Sequence, residues 1–121
     1  MNLNLNQKAA PAVEIGEANF KPEMLKSERP VLVAFLAFWS RPCQILRPVL
    51  DEVAVACAGS VKVIKVNADE CDINPGPSVD YEIRSLPTLL YFVDGKERAR
   101  LVGTASKETL LAKLKSLTDI L

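Results

Sequence analysis

Few residues in this chain can carry covalent chemistry. They are Cys43, Cys57, Cys71 and Ser40, the last three positions ahead of Cys43 in the run Trp39-Ser40-Arg41-Pro42-Cys43. Histidine is absent. That removes Ser-His and Cys-His nucleophile pairs, a histidine general base and histidine metal ligands. Without a base to take its proton, Ser40 is a poor nucleophile, and a hydroxyl cannot form a disulfide. A serine just ahead of a helix is a good N-cap, and Ser40 is read as one. Three cysteines in a chain that is 49% hydrophobic argue against a disulfide scaffold and fit a reducing compartment.

The elements that hold this run follow from periodicity. Val31 to Phe38 is a continuous apolar stretch, suited to a strand covered on both faces. After the loop, Leu46, Val49, Leu50, Val53, Ala54 and Cys57 recur at helical spacing, leaving Arg47, Asp51 and Glu52 mainly on the other faces. Pro48 falls inside this helix, where a kink is expected, and Gly59 ends it. Ala12–Ile15 reads as a short strand, Asn19–Lys26 as a short helix capped by Asn19, and Val61–Val66 as a strand by its β-branching. A loop over Asn67–Pro77 leads to a weak short helix near Ser78–Tyr81. Thr88–Val93 and Glu97–Val102 flank Asp94-Gly95, a strong hairpin signal. Ser106 caps a last helix whose buried stripe is Leu110, Leu111, Leu114 and Leu117.

At 121 residues the chain has the size of one domain. Residues 1–11 read as a flexible tail, without the continuous hydrophobic segment of a signal peptide, and 12–121 as the domain. Lys+Arg and Asp+Glu both number 15, so charge gives no reason to expect nucleic acid or an anionic membrane as partner. Val31–Trp39 is far too short to span a bilayer as a helix. A cytoplasmic protein is expected. The order β-α-β-α-β-α-β-β-α gives an α/β domain, a sheet core with helices on both faces.

Several segments together resemble the thioredoxin family over residues 12–121. Val31-Leu32-Val33 leads into Phe38-Trp39-Ser40-Arg41-Pro42-Cys43 and Pro48-Val49-Leu50-Asp51-Glu52-Val53-Ala54. Lys65-Val66-Asn67, Asp69, Asn74-Pro75-Gly76, Ile83-Arg84-Ser85-Leu86-Pro87-Thr88, Asp94-Gly95-Lys96 and Val102-Gly103 follow in register. The resemblance implies the thioredoxin fold, a central mixed five-stranded sheet flanked by helices. It also implies a redox loop reading Trp-Cys-Gly-Pro-Cys, whose first cysteine attacks a substrate disulfide and whose second resolves the product.

This chain departs from that loop. Ser40 stands at the attacking position and Arg41, a flexible cation, replaces glycine. Cys43 is kept at the resolving position. Ala34 stands where the family buries an aspartate beneath that second cysteine, and Leu36 replaces a usual tryptophan. A serine introduced into an otherwise active dithiol protein would leave Ala34 unexplained. Cys43 reads as a packed hydrophobe or as a reactive single thiol, the latter favoured if Arg41 folds back toward it. Cys57 lies roughly 21 Å along the same helix at 1.5 Å per residue, beyond the ~7 Å that a bridge allows between Cα atoms. Cys71 should emerge on the same sheet edge as the loop, placed for an intermolecular bridge rather than a bond to Cys43. Lys65, without its acid at position 34, reaches solvent or pairs with Asp69.

The resemblance also assigns a docking surface. Leu86-Pro87 matches the family's cis-proline facing the redox loop, and the backbone before it pairs with an extended segment. Trp39, Arg41, Pro42, Leu86, Pro87 and Gly103 would line that surface; the plainer reading is that Pro87 starts a strand and Trp39 covers the core edge. The expected partner is a protein or peptide segment beside Trp39 and Pro87. No cofactor or metal is expected, and the oligomeric state is not legible. Two functions follow. One is a docking module with impaired or absent dithiol reductase activity. The other is a restricted oxidoreductase using Cys43 as a monothiol in cell redox homeostasis.

Overall fold

The computed structural model describes residues 12–16, 19–57, 59–68 and 81–119. Five strands form one mixed sheet: β1 (Val13–Gly16), β2 (Val31–Leu36), β3 (Lys62–Asn67), β4 (Thr88–Val93) and β5 (Lys96–Val102). Their spatial order is β1-β3-β2-β4-β5. β1 and β2 run parallel to β3, while β4 is antiparallel to both β2 and β5. The helices are α1 (Arg41–Cys57) and α2 (Lys107–Asp119).

The apolar run of β2 is central because every one of its residues is buried. Its alternation splits the core in two. Leu32, Ala34 and Leu36 face Leu46, Leu50 and Val53 of α1 and Leu110 and Leu114 of α2. Val31, Val33 and Phe35 join Ile64, Val66, Leu90 and Phe92 on the opposite face. The two α-helices among the described residues therefore cover one face. Among the described residues the other is covered by a 3-10 turn, Pro22–Leu25, and by Phe20, Tyr81 and Ile83. This turn replaces the helix expected over Asn19–Lys26. Lys21, not Asn19, starts it, with the Met24 N–H donating to the Lys21 carbonyl at 2.9 Å. One isolated turn pays the nucleation cost without propagation, so it is held by burial of Leu25 instead.

The local signals otherwise place their elements. Asp94 and Gly95 both adopt positive φ, 53° and 77°, as a two-residue hairpin requires. Gly59 ends α1 at φ 88°. The Thr109 N–H donates to Ser106 Oγ at 3.1 Å, the cap of α2. Pro48 sits on the exposed side of α1, which continues through it although the Gln44 carbonyl loses its donor. The 1–11 tail, Cys71, Asp69, Asn74–Gly76 and residues 78–80 of the expected short helix lie outside the described residues; Tyr81 is in a turn.

One core residue buries a polar atom without a partner among the described residues. Tyr91 is 2% exposed, and its buried hydroxyl has no hydrogen-bond partner among the described residues. Tyr91→Phe is expected to leave the unfolding free energy unchanged or raise it by about 1 kcal/mol, read by urea titration. A loss of more than ~1 kcal/mol would show that the hydroxyl is hydrogen-bonded after all.

Candidate functional site

The antiparallel registers bring three segments to one end of the sheet. Phe35, near the end of β2, faces Thr88 at the start of β4, and Thr88 faces Val102 at the end of β5. The Phe38–Trp39 turn, Leu86–Pro87 and Gly103 therefore share this edge, with the start of α1 beside them. The Leu86–Pro87 peptide bond is cis. The Gly103 N–H donates to the Pro87 carbonyl at 2.9 Å, tying the two segments together. Gly103 has φ 98°, a backbone conformation that a side chain would strain. Thr88 Oγ1 donates to the Ser85 carbonyl at 2.7 Å and closes the approach to Pro87.

Ser40 is the N-cap of α1. The Gln44 N–H donates to its carbonyl at 3.0 Å, and the Cys43 N–H reaches its Oγ at 3.4 Å. Pro42, exposed in the first turn, lacks an N–H that would find no partner within the helix. Arg41 is exposed beside it. Cys43 is fully buried and packs with Ala34, Leu36 and Leu46. Trp39 is 72% exposed, so it does not cover the core edge. Leu86 is half-buried and Pro87 buried, so Pro87 shapes the surface from beneath while Trp39 and Leu86 present it.

Several neighbours differ from what the sequence suggests. Phe38 and Val102 are exposed large apolar side chains at the same edge and extend the surface. Val102 carried a signal in the outward step of β5 after Ala99 and Leu101. Arg47 and Asp51 do not point away from the sheet. Arg47 Nη1 lies 2.8 Å from Glu14 Oε2, and Lys65 Nζ lies 3.0 Å from Asp51 Oδ1 and 3.8 Å from Glu14 Oε1. Lys65 is thus buried and paired with Asp51 and Glu14 rather than solvated, while Asp69, the other partner expected for it, lies outside the described residues. Ala34 sits directly opposite Lys65 in the sheet register, and Asp51 and Glu14 supply the carboxylates that Ala34 does not.

Cys57 is half-buried at the end of α1 against the first core cluster, and burial pushes its thiol up from the usual range. The small cavity of about 10 Å³ between α2 and β4–β5 lies towards the far end of β2, lined by Leu32, Tyr91 and Leu110. It has room for at most a water and lies away from the edge formed by Trp39, Leu86 and Gly103. Among the described residues no three His, Cys, Asp or Glu groups are placed to hold a metal, and no helix is long and apolar enough to cross a membrane.

Comparison with known proteins agrees with this fold. The thioredoxin family model matches residues 11–116. Thioredoxin 1 of Synechococcus elongatus is 46% identical over 99 residues, covering 82% of this chain and 90% of that protein. Thioredoxin of Rickettsia conorii is 41% identical over 100 residues, covering 83% and 92%. The chloroplastic M-type thioredoxin of Spinacia oleracea is 39% identical over 107 residues, covering 85% and 58%.

Proposed function

The chain belongs to the thioredoxin family, and we propose that within it this protein is a docking module that holds a protein or peptide segment without completing a dithiol cycle. The observation that carries the reading is the state of Ser40. It occupies the attacking position, is 8% exposed and serves as the cap of α1. A hydroxyl there forms no mixed disulfide, so Cys43 has none to resolve.

The docking part rests on what the loop faces. The Gly103–Pro87 hydrogen bond keeps the β4–β5 end in one shape, and Trp39, Phe38 and Val102 present apolar surface around it. An extended segment pairing with the backbone at Leu86 would lay alternate side chains on that surface. The soluble, cytoplasmic setting expected from the sequence belongs to this reading too.

The monothiol alternative needs a thiolate at the surface. Cys43 is 0% exposed, which weighs against it. Iodoacetamide labelling of the native protein, mapped by mass spectrometry, is expected to leave Cys43 unmodified on a timescale that modifies Cys57. Cys57 itself should label faster as pH rises, because burial holds its proton. Insulin reduction by the unmodified chain is expected at background. Ordinary turnover, lost in Cys43→Ala, would overturn the docking reading in favour of the monothiol.

A further inference from the structure

We propose that Arg47 is a positioning residue for the Phe38–Trp39 turn, a clamp whose consequence for binding rests on the docking reading but whose existence does not. The guanidinium carbon of Arg47 lies 4.3 Å from the centroid of the Phe38 ring. Its Nη1 meets Glu14 Oε2 at 2.8 Å, and its Nη2 donates to Asn67 Oδ1 at 3.4 Å. One face of the group thus covers the ring while its edge is anchored to β1 and the end of β3.

Only a planar, multiply donating cation does both at once; an ammonium offers a point charge and no face. The arrangement leaves a mark. Arg47 Nε is buried and has no hydrogen-bond partner among the described residues. A buried donor left unpaired calls for a reason, and the stack on Phe38 together with the two anchors supplies it, because they fix where the guanidinium plane lies.

A second hold comes from the preceding turn of the same helix. Gln44 Nε2 donates to the Phe38 carbonyl at 2.8 Å. Residues 44 and 47 lie on one helix face. The first grips the Phe38 main chain and the second its ring, and the second is tied to the sheet. Trp39 follows directly and has 72% of its surface in solvent, so its orientation is inherited from the turn that carries it.

Trp39 is the chain's one tryptophan, which makes the clamp directly readable. Time-resolved fluorescence anisotropy of Arg47→Gln is expected to show a fast depolarising component about two- to fivefold larger than in the parent, the factor expected for loss of a half-exposed cation–π contact. Arg47→Lys keeps the charge for Glu14 and should fall between the two. Val53→Ala weakens the buried side of α1 without touching the turn and should leave the component unchanged. The clamp is refuted by unchanged anisotropy in folded Arg47→Gln and Arg47→Lys, or by an equal rise in Val53→Ala. Binding of S-carboxymethylated insulin B chain, an extended peptide without free thiols, should weaken in Arg47→Gln by a similar factor. No binding to the parent, alongside a loosened Trp39 in Arg47→Gln, would sink the docking reading and leave the clamp standing.

Discussion

Ser40→Cys is expected to turn on disulfide-reductase activity, from background to a clear rate in the insulin reduction assay. On the docking reading the parent lacks the attacking sulfur and the buried acid but keeps Cys43, the cis Leu86–Pro87 bond and the start of α1 beside them. Position 40 lies at the start of α1, where unpaired N–H groups and the helix dipole stabilise a thiolate. Cys43 follows one turn later as the resolving thiol. The substitution removes a serine cap, at a cost of about 1 kcal/mol, which a thiolate at the same point offsets in part. The gain should be incomplete, because Ala34 leaves no buried acid to take the Cys43 proton. Proton transfer by a placed group contributes roughly 10²-fold or more, so Ser40→Cys with Ala34→Asp should exceed Ser40→Cys alone by about that factor. If Ser40→Cys with Ala34→Asp folds and stays at background, the edge formed by Trp39, Leu86 and Gly103 does not accept a disulfide substrate, which counts against the docking part of the reading.

The parts of the molecule legible in the sequence are those decided by neighbours in the chain. The run Val31–Leu36 had to be a doubly covered strand, since no polar residue interrupts it. Asp94-Gly95 and Ser106 made their turn and cap from local backbone needs. The role of Ser40 was legible for the same reason, since an N-cap bonds to the helix it precedes. What stayed hidden depends on elements far apart in sequence. A helical spacing sorts Arg47 and Asp51 by one helix's own faces and does not register that Glu14 and Lys65 rise from the sheet to meet them. The 3-10 turn at Pro22–Leu25 is not distinguishable from a helix by local signals because only the tertiary seat of Leu25 sets its length. The exposure of Phe38 was equally hidden in an apolar run whose last two residues leave the sheet.

The charge group beneath α1 makes the second large prediction, in which losing the carboxylates is costly and losing the buried lysine is not. Lys65 is the one buried charged residue among those described, its side chain 8% exposed, whereas Asp51 and Glu14 are 41% and 37% exposed. The desolvation burden therefore falls on the lysine. Asp51→Asn alone should cost about 1 kcal/mol, since Glu14 remains near and the pair is partly solvated. Asp51→Asn with Glu14→Gln strands Lys65 and Arg47 together and should cost roughly 3 kcal/mol or more. Lys65→Met keeps the stem packed under α1 and removes the buried charge, so it should lie within about 1 kcal/mol of the parent. Added to the double variant, it should recover a large part of the loss. Urea unfolding of the parent and the four variants tests the cycle. Should Lys65→Met prove as damaging as the double carboxylate variant, the ion pairs would be net stabilisers rather than compensation for a lysine whose family acid has become Ala34. In that event Ala34→Asp, which returns a carboxylate to the position opposite Lys65, should stabilise the fold as well as assist Cys43.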